Sequence, residues 1–292
     1  MEETSARRPD WLKVRLPQGP GYGEIKGLLR GLTLHSVCEE AHCPNIGECF
    51  ESRTATFLIL GRVCTRNCRF CAVESGRPTE MDLQEPERVA EAVKTLQLRH
   101  VVVTSVTRDD LDDGGAGMFA ETIHQVRAAV PECSIEVLIP DFKGSASALE
   151  TVVRGRPDIL NHNVETVARL SRAVRPQASY DRSVELLYRA KQIDRSTTTK
   201  SGVMVGLGET LEEVLEAMHD IREAECDILT IGQYLSPSKQ HLPVEKFYSP
   251  AEFEYLRSEG ERMGFGHVEA GPLVRSSYHA RLQLEGMKRS GG

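Results

Sequence analysis

The chain has 292 residues, 40% hydrophobic and 27% charged, enough to bury a sizeable core in one large domain or two smaller ones. Its formal charge of -7 argues against nucleic acid as a partner, leaving the KVR and RGL pieces near the start as a local basic patch at most. No apolar run approaches the ~18 residues of a membrane span, and the opening MEETSARRPDWLKVRLP lacks the charged-then-apolar pattern of a secretion signal. No membrane contact is expected, and the default is a soluble intracellular protein.

The first 55 residues fit no regular repeat. From residue 56 onward, short β-branched runs alternate with longer stretches of helical period. The predicted strands are TFLIL (56–60), HVVVT (100–104), SIEVLI (134–139), DILNHN (158–163), TTTKSGVMVG (197–206) and DILTIG (227–232). Between them PERVAEAVKTLQL, GMFAETIHQVRAAV, ASALETVVRG, YDRSVELLYRAKQ and TLEEVLEAMHDIREA space apolar residues three and four apart, as amphipathic helices do. About six strand–helix units imply an α/β fold with a parallel sheet and right-handed crossovers. A partial (βα)6 barrel is favoured over an open doubly wound sheet. The reason is that TSVTRDD, NHN, GLGE and GQYLSP all fall at strand ends, which converge on one mouth in a barrel. This gives three expected regions: an N-terminal extension (1–55), the barrel (56–240) and a C-terminal extension (241–292).

Six of the eight cysteines lie within thirty-four residues, as CEEAHCPNIGEC (Cys38, Cys43, Cys49) and CTRNCRFC (Cys64, Cys68, Cys71). In a reducing compartment such spacing points to metal or redox chemistry. Cys133 and Cys226 stand alone and read as small buried hydrophobes. Zinc and an iron–sulfur cluster both suit soft thiolates. Three ligands per loop leave a zinc site one short in each place, although a shared six-thiol cluster stays open. Three thiolates on a four-iron cube leave one iron free for a substrate.

The Cys-x3-Cys-x2-Cys spacing, with Phe70 just before the last cysteine, resembles the signature of the radical S-adenosylmethionine superfamily. That resemblance implies the same partial barrel, with the cluster loop after the first strand. It also implies that the free iron chelates S-adenosylmethionine, whose reductive cleavage gives a 5'-deoxyadenosyl radical. A second trio calls for something more specific. HSVCEEAHCPNIGECF, TATFLILGRVCTRNCRFCAV, TSVTRDDLDDGGA, NHNVETV, TKSGVMVGLGET, TIGQYLSPSKQHLPVEKF and GPLVRSSYHA resemble, in order, the pattern of the lipoyl synthase family from about residue 9 to residue 288.

The family resemblance implies insertion of two sulfur atoms at C6 and C8 of an octanoyl chain on a lysine of a lipoyl carrier domain. Two S-adenosylmethionine molecules are consumed, and the sulfur comes from an auxiliary [4Fe-4S] cluster that is dismantled. Carried over by motif, Cys38, Cys43, Cys49 and Ser277 hold the auxiliary cluster, Cys64, Cys68 and Cys71 the radical-generating one, and Arg275 orders the tail or approaches the cluster. A serine oxygen is a poor match to a sulfur-bridged iron, so Ser277 is expected to mark the labile corner. An ordinary helix N-cap is the alternative for RSSYHA. The carrier is expected to be a 2-oxoacid dehydrogenase E2 or glycine cleavage H protein. A flavodoxin or ferredoxin as electron donor and an iron–sulfur carrier for rebuilding are also implied. The family-like segment begins near residue 9, so a cytoplasmic location is expected.

For S-adenosylmethionine the candidate contacts are Phe70, Thr104, Ser105, Asn163, Glu165 and Lys200. By the period of two, Asn163 shares a strand face with Asn161 while His162 takes the other. Lys200 is placed against the methionyl carboxylate or, alternatively, on an exposed strand edge. The acidic run Asp109 to Asp113 reads as a strand-end site or a solvated loop, and Thr107 stands where the family pattern has Asp. GLGE offers backbone N–H groups to a polar ligand or forms a plain glycine turn, and His241 is a loop histidine that reaches substrate or has no role. Three other readings stay open: another auxiliary-cluster radical enzyme of the methylthiotransferase or biotin synthase type, an iron–sulfur electron carrier or sensor, and a zinc-organised binding module.

Overall fold

The computed structural model describes residues 8–13, 20–51, 54–79, 81–280 and 282–283; Val14 and Arg15 of the KVR piece lie outside them. Eight strands form one sheet in sequence order: β1 His35–Ser36, β2 Thr56–Ile59, β3 His100–Ser105, β4 Ser134–Leu138, β5 Ile159–Asn161, β6 Thr198–Val205, β7 Ile228–Gln233 and β8 His267–Gly271. β1 runs antiparallel to β2, and every later pairing is parallel. The sheet does not close, because β1 and β8 remain its two edges. The six predicted strands are β2 to β7. The stretch after residue 240 is corrected in one respect: β8 adds to β7 as a further parallel strand, so part of this region belongs to the sheet.

Three short helices fill the N-terminal region, α1 Pro20–Gly31, α2 Val37–Glu40 and α3 Ile46–Glu51. The crossover helices are α4 Glu85–Thr95, α5 Ala116–Ala129, α6 Ala146–Arg154, α7 Ala168–Val174, α8 Tyr180–Ile193, α9 Leu211–Glu223 and α10 Pro250–Arg262. The starts of α9 and α10 are fixed by reciprocal capping, Thr210 with Glu213 and Ser249 with Glu252. Val89 and Val93 of α4, Phe119 and Ile123 of α5, and Val152 of α6 bury against Val101, Val103, Ile135 and Val137 on the outer sheet face. Each such side chain contributes about 1.5–3 kcal/mol by leaving water.

Alternation sends the intervening residues inward. Thr104, Leu138, Gly202 and Thr230 come to line a cavity at the C-terminal ends of the strands. No helix among the described residues is long and apolar enough to cross a membrane.

Candidate active site

The cavity has a volume of about 620 Å³ and is reached by Cys38, Cys43, Cys64, Cys68 and Cys71. Two separate cysteine segments therefore present thiols to one space. All eight cysteines are free. Cys49, on α3, does not line the cavity; burial first, and then the nearby Cys38 and Cys43, raise its pKa.

The Cys64–Cys71 loop is clamped by the strand end of β3. Thr65 N–H donates to the Thr107 carbonyl at 2.9 Å, and Asp109 N–H donates to Thr65 Oγ1 at 3.0 Å. Arg66, buried within the loop, donates to Asp109 at 2.7 and 2.9 Å and to the fully buried Asp141 at 2.6 Å. The N–H groups of Arg66 and Thr107 point at Cys64 Sγ, at 3.4 and 3.3 Å. The acidic run is thus structural rather than merely solvated: Asp110 holds Arg108 at 2.8 Å, and Asp113 accepts from Gly115 and Gly117 at the start of α5. Since Thr107 serves through its backbone, its departure from the family's Asp leaves the clamp intact.

The first trio is joined by the C-terminal tail. Asn45 Nδ2 donates to the Leu273 carbonyl at 2.7 Å, and Tyr278 Oη donates to Glu48 at 3.0 Å. Arg275, Ser276 and Ser277 consequently line the cavity beside Cys43, and burial lowers the Arg275 pKa while Cys43 opposes that shift.

Burial pushes the thiols of Cys38, Cys49 and Cys71 up to about 12 and that of Cys68 up to about 11. Unligated, these thiols keep their protons at neutral pH; a bound metal displaces them. Among the described residues, three potential metal-ligating atoms close to within 4.8 Å of one another only at His219, Asp220 and Glu223 on the outside of α9, and neither cysteine trio is that tight. A single zinc with Zn–S bonds of about 2.3 Å requires a tighter trio. The soft sulfur donors of both segments fit a four-iron cube chemically.

Of the six S-adenosylmethionine candidates, Phe70, Thr104, Ser105, Asn163 and Glu165 line the cavity. Thr104 Oγ1 spends its proton on the Leu138 carbonyl at 2.9 Å, whereas Ser105 Oγ is buried with no hydrogen-bond partner among the described residues. Asn163 Nδ2 donates to Glu165 Oε1 at 3.1 Å. Burial raises the Glu165 pKa against the opposing pull of Arg175 and Asn163.

Lys200 is corrected on both of its expected placements. It is neither on an exposed edge nor at the cavity, but fully buried beneath it, paired with Glu136 at 2.9 Å. It stands two residues below Gly202 on the inward face of β6, so its reach ends in the barrel floor. His162 lines the cavity together with Asn163, because β5 ends at Asn161 and the period of two stops there. The GLGE turn is closed on itself, since Glu209 accepts from the N–H groups of Gly206 and Leu207. His241 reaches the cluster loop, its Nε2 lying 3.0 Å from the Cys71 carbonyl oxygen.

Sequence reasoning missed Arg66 and Arg175. Arg175 is buried at the cavity and donates to the Val164 carbonyl at 2.8 Å. Neither guanidinium belongs to a spaced motif, and an Arg beside cysteines or after a helix carries no signal until the fold closes.

Comparison with known proteins agrees with this geometry. The Radical SAM superfamily model matches residues 58–221, and the model for the N-terminal domain of lipoyl synthase matches residues 1–43. Lipoyl synthase of Rubrobacter xylanophilus is 61% identical over 282 residues, covering 97% of this chain and 88% of that protein. Lipoyl synthase of Symbiobacterium thermophilum is 62% identical over 278 residues, covering 95% and 87%. Among solved structures, HydG, a maturase of the [FeFe]-hydrogenase, matches with a TM-score of 0.60 at 15% identity, over 91% of this chain and 66% of that one. Methylornithine synthase matches at 0.53 and 16%, over 88% and 84%. These two likenesses speak for the fold alone. With these relatives 61% and 62% identical over nearly the whole of both chains, the chain belongs to the lipoyl synthase family of radical S-adenosylmethionine enzymes.

Proposed function

We infer that this chain inserts sulfur at C6 and C8 of a carrier-bound octanoyl-lysine, and that its two cysteine trios divide the work. In this reading Cys64, Cys68 and Cys71 hold the radical-generating [4Fe-4S] cluster. Cys38, Cys43, Cys49 and Ser277 hold the auxiliary one. When bound, the clusters and S-adenosylmethionine supply the hydrogen-abstracting radical and the sulfur. The observation that supports the reading is that Cys38 and Cys43 of the first trio, all three cysteines of the second and the Arg275–Ser277 tail line one cavity.

The chain's own groups orient and shield. Ser105, Asn163 and Glu165 offer polar contacts to the methionyl end of S-adenosylmethionine, with Phe70 and Thr104 completing that wall. Arg275 sets a positive charge against the auxiliary centre and holds the tail. Val37, Leu58, Val106, Ile139 and Val203 give the cavity apolar walls, which suit an eight-carbon acyl chain and exclude water from a reactive carbon radical. Outside the chain, the reading requires an octanoylated E2 or H-protein carrier, a low-potential donor such as a flavodoxin or ferredoxin, and an iron–sulfur carrier to rebuild the spent centre. Eight free cysteines are in keeping with a reducing cytoplasm.

The test is anaerobic turnover of reconstituted protein with S-adenosylmethionine, a low-potential reductant and an octanoylated carrier, followed by mass analysis of the carrier. Gain of two sulfurs is expected. Formation of 5'-deoxyadenosine with no sulfur gain would instead indicate a different radical enzyme.

A further inference from the structure

Ser276 stands between the two halves of the cavity. Its Oγ donates to Asn163 Oδ1 at 2.9 Å, across 113 residues of sequence, and Asn163 Nδ2 passes the chain on to Glu165 Oε1 at 3.1 Å. An asparagine amide can be seated either way round. With a hydroxyl donor on one side and a carboxylate on the other, only one orientation satisfies both neighbours. Glu165 itself is pinned: it adopts φ 72°, donates its N–H to the Gly202 carbonyl at 2.9 Å and accepts from Met204 N–H at 2.8 Å. Its Oε2 takes no hydrogen-bond donor among the described residues and belongs to a side chain that lines the cavity.

The junction exists because residue 202 has no side chain. A Cβ there would lie 2.8 Å from Asn163 Oδ1, 2.8 Å from Thr230 Oγ1 and 3.1 Å from Ser276 Oγ. Three polar groups from β7, the β5 end and the tail meet over this glycine. Ser276 is the immediate neighbour of Ser277, and the same tail is anchored on the first cysteine segment through Asn45 and Glu48. One short stretch thus touches both halves.

We propose that Ser276 is a positioning residue through which the docked tail sets Asn163 and Glu165 for S-adenosylmethionine. The proposal rests on the reading of Asn163 and Glu165 as S-adenosylmethionine contacts. It makes cofactor affinity depend on the tail being seated: a chain whose tail has lost its hold on the Cys38–Cys49 segment binds S-adenosylmethionine more weakly, so radical generation is most efficient with the tail docked.

Equilibrium dialysis with S-adenosylmethionine and no reductant tests this on the fully loaded chain. Removing one partner of a buried hydrogen bond leads to an expected weakening of about tenfold in Ser276→Ala, with iron content unchanged. Ser276→Thr keeps the hydroxyl and restores binding, and Gly202→Ala reproduces the defect by wedging the junction apart. In turnover, Ser276→Ala raises KM for S-adenosylmethionine and leaves KM for the carrier unmoved. Binding by both Ser276→Ala and Gly202→Ala within about twofold of the parent chain overturns the proposal. Loss of iron from both also overturns it, because the contact would then hold the centre rather than the pocket. Failure of the parent chain itself to bind S-adenosylmethionine would strike the functional reading instead.

Discussion

Lys200 Nζ lies 2.9 Å from Oε1 and 3.1 Å from Oε2 of Glu136, and neither side chain has exposed surface. Asn161 Nδ2 donates to the same carboxylate at 2.9 Å, and His100 Nε2 lies 3.6 Å from it. This polar group plugs the barrel beneath the cavity. Lys200→Met strands a buried carboxylate and is expected to cost about 3–5 kcal/mol, while adding Glu136→Leu recovers much of the loss. Urea unfolding of the two variants checks it; equal destabilisation in single and double variants would contradict it. Burial alone would raise the Glu136 pKa, but Lys200 and His100 hold it down to about 2. Its folded pKa is depressed, so its contribution is present above the ordinary carboxylate range and is lost as pH falls toward 2.

His162 acts in a higher window. Burial, reinforced by Arg175, lowers its pKa to about 4 from 6.5. Between those values the unfolded chain binds a proton that the folded chain refuses, so acidification through this window destabilises by up to about 3 kcal/mol. His162→Gln is expected to flatten the fall in melting temperature between pH 6.5 and 4. An unchanged slope would show that the histidine is charged in the folded chain.

Ser277→Cys replaces a hard oxygen by a soft thiolate at the proposed labile corner. Iron content is expected to stay near about eight per chain, as two four-iron centres require, while lipoyl yield in a single turnover falls at least about tenfold. Iron analysis and carrier mass spectrometry read the two arms. Undiminished yield would remove the serine from its assigned role.

The cysteines supply a direct reactivity test. Burial holds Cys38, Cys49 and Cys71 at about 12, against the ~8.5 of a free thiol. In metal-free protein these three cysteines are therefore expected to alkylate at pH 8 slower than a free thiol by about three orders of magnitude, roughly as their thiolate fraction falls. Rapid labelling of Cys38 or Cys71 would mean that these sites are open and ionised.

Much of this was legible in the chain because the signals are local. Runs such as HVVVT and DILTIG gave β3 and β7, since buried parallel strands are continuous and apolar. The cysteine segments announced themselves by spacing. What escaped depends on closure of the fold. β8, HVEAG, is mostly only partly buried and has no apolar run, so it joins the sheet without a sequence signal. Asn163 and His162 both reach the cavity because β5 is only three residues long, too short for alternation to persist through them. Lys200 looked like a ligand at a strand end, but its partner Glu136 lies 64 residues away and the pair is visible only in three dimensions.

In the proposed division of labour, one trio serves radical formation while the other supplies sulfur. Rebuilding both centres with 34S-sulfide and running a single turnover on octanoylated carrier tests it most directly. Both inserted sulfurs are expected to carry the label, and a Cys38, Cys43, Cys49→Ala variant is expected to cleave S-adenosylmethionine yet yield no lipoyl product. Unlabelled sulfur in the product, or lipoyl formation by that variant, would contradict the account.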